Sequence, residues 1–449
     1  MKAALSNILK EKNIQSLSTN VFTAAINLAT FLFLVRSLGQ ESFGLWVIFT
    51  TAGTLAALIR FGVTRRAIIH FASGSDEEIF KKISGSGLLL DLIIMAIAAL
   101  LSFAVYLIGG QSLGMYFLFF KYYPLVAIVC LLWNSALTIQ SAKQRFDRIL
   151  LLRLIIATPF FIFVFLNLIL FHYGLETVIH AYIASHGIAS IIMLLLGWTS
   201  LSDLFNSRKT EINKILNYGK YTVLTSTGSS LLRSADALMI GMSPVLGASG
   251  VALYAIPFKL VDLISIPLNA FVATASPKMS KAYISGQIQN FKRILFTYTG
   301  AVSFLFVPVV IGSAIFSRPF LTFLAGTGYE NEFATMTGIL YTILIYGLIL
   351  PFDRFTGIAL DSSEMPNINA LKVYVMLSLN IAGNAIAIFV YNSLVMVAAV
   401  SVLFTVAGMW IGWYYLKKSF SLNPMGIYYE GISFYKKLFI SIRSFNISH

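Results

Sequence analysis

The sequence predicts an all-α polytopic membrane protein with twelve transmembrane helices in two six-helix lobes around a central cavity. Three observations lead there. Of 449 residues, 58% are hydrophobic and only 11% charged, with a mean hydropathy of +0.82; a soluble domain carries about 25% charged residues. Apolar runs of about 20 residues, enough to cross a bilayer, recur along the whole chain. Basic residues gather in alternate connections between those runs, as the positive-inside bias requires.

The spans are placed at residues 15–35, 44–61, 88–108, 117–139, 150–171, 177–199, 218–242, 249–273, 294–316, 333–353, 368–390 and 393–416. The first follows Lys2, Lys10 and Lys12. It is too long for a signal-peptide core, and no small-residue cleavage site follows it. Of the 32 basic residues, 27 fall on one side of this topology, among them Arg65, Arg66, Lys143, Lys278, Lys372 and Lys417. The opposite connections hold only Arg36, Lys121 and Arg318. This split predicts both termini on the cytoplasmic side of the membrane. The connections on the outer side are short, the longest near 317–332, which argues against an enzyme working through a large external domain. After Lys418, the residues Ile432, Tyr435, Leu438, Phe439 and Ile442 recur at helical spacing among Lys436, Lys437 and Arg443. That pattern predicts an interfacial helix on an anionic leaflet, with a disordered tail as the plainer alternative.

Composition also excludes functions. The net charge of +14 lies in the connections, so it reads as membrane topology and not as a nucleic-acid surface. The single cysteine, Cys130, permits no disulfide or thiolate cluster. None of the five histidines belongs to an HExxH motif, and no GxxxxGK[ST] loop is present. No metal site, cofactor or catalytic residue is expected.

A repeat sets the domain plan. Leu38-Gly39 is followed by Gly44-Leu45-Trp46, and Leu246-Gly247 by Ala252-Leu253-Tyr254 at the same spacing. Each copy falls in the turn between the first two spans of a half, where glycine suits a tight turn and the aromatic an interfacial anchor. The two halves would be related by an axis along the membrane normal. The expected division is 1–205 for the first lobe, 206–217 for a cytoplasmic linker, 218–418 for the second lobe and 419–449 for the tail.

Charges within the spans nominate the site, because an ionised side chain at the bilayer centre costs roughly 2.5–3.5 kcal/mol on insertion scales and usually faces a bundle interior or water. Arg233 and Asp236 lie on the seventh span, Lys259 and Asp262 on the eighth, each pair at i, i+3 on one helix face. Arg233 sits about fifteen residues into its span, roughly 22 Å into a roughly 30 Å core. Its guanidinium fork suits a phosphate or a sugar acid. Lys259 lies near the midplane between Pro257 and Pro267. Asp236 and Asp262 either orient these cations, bind a coupling ion or simply pair with them. Arg36 and Arg60 end the first two spans and could meet a head group or a lipid phosphate. Asp91 is read as pairing with a loop lysine, Asp353 with Arg354 as an interfacial pair, and His180 and His186 as packing residues. The run Phe160, Phe161, Phe163 and Phe165 reads as lipid-facing or core.

The motifs LGQESFGLW at 38–46, RSADALMIG at 233–241 and LGASGVALYAIPFK at 246–259 resemble the polysaccharide-transport branch of the multidrug/oligosaccharidyl-lipid/polysaccharide exporter superfamily, the O-antigen or repeat-unit flippases. The resemblance covers essentially the whole chain. It implies a MATE-like, V-shaped, two-lobed fold. It also implies translocation of an undecaprenyl-pyrophosphate-linked oligosaccharide from the inner to the outer leaflet, for lipopolysaccharide or another surface polysaccharide. The implied partners are that lipid-linked oligosaccharide, the bilayer, and a polysaccharide polymerase with its chain-length regulator. A cation-coupled multidrug or metabolite antiporter of the same fold is the alternative. The peptidoglycan-precursor flippases of the superfamily usually have fourteen spans, which disfavours that branch.

Overall fold

The computed structural model describes the backbone of residues 12–447, and every side chain within it except those of 12–21, 59–61, 221–226, 438 and 441–447. All regular structure among these residues is helical. Without water in the hydrocarbon core, each backbone N–H and C=O needs a partner within its own segment, and a helix supplies it.

Twelve long helices follow one another: α1 (Lys12–Ser37), α2 (Gln40–Ala72), α3 (Glu77–Gly109), α4 (Phe117–Ala142), α5 (Phe146–Leu166), α6 (Leu175–Leu195), α7 (Lys209–Gly241), α8 (Gly247–Ile284), α9 (Ile288–Ile315), α10 (Phe333–Ser362), α11 (Pro366–Phe389) and α12 (Leu394–Phe420). A thirteenth, α13 (Met425–Ile447), closes the chain. Nine stretches of the described residues are long and apolar enough to cross a membrane, and one of them, Glu77–Ala142, contains both α3 and α4. Each predicted span falls on one of the twelve helices, with ends that differ by up to eleven residues, the fifth running on into a short π-turn, Asn167–Phe171.

Several helices outrun their predicted spans at the basic end. α2 continues to Ala72, α3 begins at Glu77, and α7 begins at Lys209. Arg65 and Arg66 therefore sit on a helix and not in a loop. The connection between α6 and α7 also carries regular structure. Leu201–Asn206 forms a short 3-10 turn, and buried Asp203 accepts a 2.6 Å hydrogen bond from Ser84 Oγ on α3.

The chain forms two compact units, Met1–Ala252 and Leu253–His449. In the first, α2 packs along α7, and small residues allow the close approach. A Cβ on Gly44 would overlap the Ala248 carbonyl, one on Gly219 would overlap the Val63 carbonyl, and one on Gly241 would lie 2.8 Å from Ile48 Cδ1. Where lipid tails are as apolar as leucine, helices associate by such close packing. Ala67, Ile68, Ile83, Ile139 and Ile215 fill the core between α2, α3, α4 and α7. In the second unit, α10 packs on α12, α11 on α12, and α9 on both α10 and α13.

The repeated turn behaves differently in its two copies. Gly247 has φ +56°, a left-handed conformation that glycine adopts readily. Gly39 has φ −61°, open to any residue. The aromatics of the motif are not interfacial anchors. Trp46 is buried and stacks on Phe160 with centroids 5.4 Å apart, and buried Tyr254 stacks on Phe258, also at 5.4 Å.

These contacts predict opposite outcomes for two glycines of one motif. Gly44→Val, which forces α2 away from Ala248, should cost about 1–3 kcal/mol or more of stability. Gly39→Ala, with nothing within 4 Å of its new methyl, should leave the melting temperature of the detergent-purified chain unchanged.

Candidate functional site

One face of α2 carries Phe49, Thr50, Gly53, Thr54, Ala57 and Leu58, then Gly62, Arg65, Arg66 and Ile69. At 1.5 Å per residue, the twenty steps from Phe49 to Ile69 span about 30 Å, the thickness of a hydrocarbon core. This stripe forms one wall of a cavity of about 510 Å3 inside the first unit. Opposite it, α4 contributes Phe119, Tyr123, Val126, Ala127, Cys130, Trp133 and Asn134, and α6 contributes Tyr182 and His186.

The cavity is chemically graded along its length. Phe49, Phe119 and Tyr123 line it nearer the start of α2 and α4, and Arg65, Arg66 and Asn134 toward the far end. Arg65 is half-buried, and the like charge of Arg153 on α5 acts on it. Among the described residues that line this cavity there is no carboxylate. Two guanidiniums beside a partly enclosed space, with no lining carboxylate to neutralise them, favour an anionic guest. The amphipathic aromatic walls suit a polar ring such as a sugar. His186 is buried, with Nδ1 2.9 Å from the Tyr182 carbonyl oxygen and its ring 4.1 Å from that of Tyr182. It is packed as expected and also faces the cavity. His180 is exposed, with its ring edge-on to Tyr122 at 5.1 Å.

The nominated charges whose side chains are described do not line this cavity. On α7, Arg233 is exposed while Asp236 is only 4% exposed, and no ion pair joins the two among the described residues. On α8, Lys259 pairs with Asp262 at 2.9 Å; their side chains are 20% and 59% exposed. Arg36, in the last turn of α1, is exposed. The side chain of Arg60 lies outside the described residues, as do those of Lys12, Leu438, Ile442 and Arg443.

Three other expectations change. Asp91 is buried and accepts a 2.6 Å hydrogen bond from Thr64 on α2, so its pairing includes the neighbouring helix as well as whatever a loop offers. Asp353 pairs not with Arg354, which is exposed, but with Lys372 at 2.7 Å. Lys372, assigned to a connection by the sequence, is 3% exposed within α11. Its Nζ also donates to the Asp353 carbonyl oxygen at 2.8 Å and to Thr356 Oγ1 at 3.4 Å. Pro351 lies one turn before these groups in α10, and Lys372 bridges α11 to α10. Of the 33 residues of α2, Arg65 and Arg66 are the site residues that sequence reasoning missed. Their stripe with Gly53, Ala57 and Gly62 at three- to five-residue steps was the available signal.

The comparisons agree with this architecture. Residues 9–283 match the model of the family described as "Polysaccharide biosynthesis protein". No curated protein sequence matches the chain. Among solved structures, an inward-facing multidrug resistance MATE family transporter of the MOP superfamily superposes with TM-score 0.75 at 16% identity, over 92% of this chain and 98% of that one. An inward closed lipid II flippase MurJ gives 0.72 at 15% identity, over 96% and 93%. A MOP superfamily transporter from Pyrococcus furiosus, whose binding pocket is described as reversed in polarity, gives 0.64 at 14%, over 91% and 94%. At these identities the likeness is one of fold.

The buried Lys372–Asp353 pair yields a test. Lys372→Met leaves a carboxylate buried without its cation and should destabilise the chain by about 3–5 kcal/mol. The double change Lys372→Met with Asp353→Leu should recover most of that loss in thermal unfolding.

Proposed function

We propose that this chain, which belongs to the polysaccharide biosynthesis protein family and shares the fold of the MATE and MurJ structures, flips undecaprenyl-pyrophosphate-linked oligosaccharide units from the cytoplasmic to the outer leaflet of a bacterial cytoplasmic membrane, for surface polysaccharide synthesis. The observation that carries this reading is the cavity along α2, with Arg65 and Arg66 at one end, aromatic walls and no lining carboxylate.

A pyrophosphate-linked sugar is a polyanion with a bulky polar head and an apolar tail. The head needs polar, cationic surroundings, while the tail stays in lipid. In this reading Arg65 and Arg66 hold the phosphate end by charge-assisted hydrogen bonds, and the aromatic walls receive the sugar rings. Arg233, Lys259, Arg36 and Arg60 take part as further head-group contacts along the route. Asp236 and Asp262 orient the cations or bind a coupling ion. The two six-helix lobes, 1–205 and 218–418, rock about the linker 206–217 to alternate access. With both termini cytoplasmic, an inside-negative potential favours outward movement of an anion by about 2.3 kcal/mol per charge per 100 mV. Arg65 and Arg66 on the lining disfavour an exporter of cationic drugs by charge repulsion. The polymerase and chain-length regulator belong to the same proposal as downstream partners.

The test is deletion of the gene, followed by analysis of lipid-linked intermediates and surface polysaccharide. Wild-type add-back should clear repeat units trapped on the inner leaflet. Arg65→Ala or Arg66→Ala should lower the rate by about 10- to 100-fold, the range of one charge-assisted hydrogen bond. Gly53→Trp should block transport without unfolding the chain, because nothing lies within 4 Å of a Cβ at that position. Unchanged surface glycan with new sensitivity to cationic drugs would transfer the chain to the antiporters.

A further inference from the structure

Four polar side chains along the α2 cavity share one habit: each has turned a donor onto its own helix. The Thr50 hydroxyl donates to the carbonyl oxygens of Trp46 and Val47, at 2.9 and 3.2 Å, and the Thr54 hydroxyl to that of Thr50 at 2.8 Å. On α6, His186 Nδ1 lies 2.9 Å from the Tyr182 carbonyl oxygen. A carbonyl oxygen only accepts, so Nδ1 carries the proton and the neutral ring leaves Nε2 as an acceptor. On α4, Asn134 Nδ2 donates to the Cys130 carbonyl oxygen at 2.8 Å. Among the described residues, neither His186 Nε2 nor Asn134 Oδ1 has a protein partner, and neither is sealed from the surrounding space.

All four residues line the cavity. They bring it lone pairs on four side chains against one remaining N–H, the second hydrogen of Asn134 Nδ2. The hydroxyls of Tyr123 and Tyr182, also on the lining, either donate or accept. Charged donors stand at the other end, on Arg65 and Arg66. The eleven steps of α2 from Thr54 to Arg65 rise about 16 Å. A head group held by its phosphates at the arginines therefore lays its distal sugars, and not its phosphates, against the threonines and His186.

We infer that this stretch is a subsite for an uncharged, hydroxyl-rich sugar, and that it discriminates against a uronic acid. The inference rests on the flippase reading above and specifies its cargo. A sugar hydroxyl brings a hydrogen to an acceptor of the wall and still accepts from the Asn134 amide or a tyrosine. A carboxylate is acceptor-only. It meets lone pairs opposite its own, and it loses hydration against Phe49 and Phe119 without enough donors to replace it. The arginines draw an anion to one end of the cavity, and the acceptor wall selects neutral units beyond it.

The experiment uses the full chain, purified in detergent and titrated by calorimetry with three probes. One is farnesyl diphosphate. The others are farnesyl-diphosphate disaccharides that differ only in the distal sugar, glucose in one and glucuronic acid in the other. The wild type should bind the glucose-ended probe about tenfold more tightly than the glucuronate-ended one, a difference on the scale of one or two neutral hydrogen bonds. Thr54→Val and His186→Phe, each removing one acceptor, should narrow the ratio to about threefold. Thr54→Lys, which places a cation in the same stretch, should reverse the preference. Both Thr54 variants should elute with the wild type, since that side chain is exposed. Equal affinity of the wild type for the two disaccharides, or a preference that all three variants keep, would overturn the subsite, while binding of farnesyl diphosphate itself would leave the flippase reading standing. Failure of all three probes to bind would sink both.

Discussion

The close approach of α2 to its neighbours is the contact on which the first unit depends. Gly44 meets the Ala248 backbone, Gly219 meets the Val63 carbonyl, and Gly241 meets the Ile48 side chain. In hydrocarbon, water no longer drives helices together, so van der Waals contact over short distances supplies the cohesion. Larger residues at these points would part the helices and shift the opposite face of α2. The same helix carries the cavity wall, with Gly53 and Ala57 leaving the space and Arg65 and Arg66 setting its charge. One helix thus couples packing to the candidate site.

Charge is handled differently in different places. Lys372 and Asp353 are buried together, where each offsets the other's loss of hydration. Lys259 and Asp262 satisfy each other across one helical turn while remaining partly accessible. Arg65 and Arg66 have no carboxylate beside them in the cavity lining. A buried matched pair holds helices together, whereas cations without lining counter-charges suit recruitment of an anion. This contrast moves attention from Lys259 toward the α2 stripe, and leaves Arg233, exposed on α7, as an accessible cation of a second kind.

The tail shows how one amphipathic pattern has two physical solutions. Spacing of Ile432, Tyr435 and Phe439 with interleaved lysines is what a helix lying on a membrane surface needs. The same spacing serves a helix that buries one edge on α9. Gly431 and Gly300 decide in favour of docking, since only small residues allow backbones so close, and Glu430 finds partners in Thr297 and Arg293.

The sequence by itself determined the helical class, the number and order of the long helices and the alternation of basic residues. These follow from local quantities, namely hydropathy over about 20 residues and the obligation of a backbone in lipid to bond within itself. It offered a Lys259–Asp262 pair as one reading, because side chains three residues apart on a helix can meet, and the structure shows that pair. Only the tertiary structure decided that Lys372 lies buried against Asp353, that Asp91 bonds Thr64, that Trp46 and Tyr254 pack inside, and that Arg65 and Arg66 face a cavity with Tyr182 and His186. Those relations join residues distant in the chain. They depend on which helix faces which, and the side-chain shapes that settle this leave no periodic trace in a single sequence.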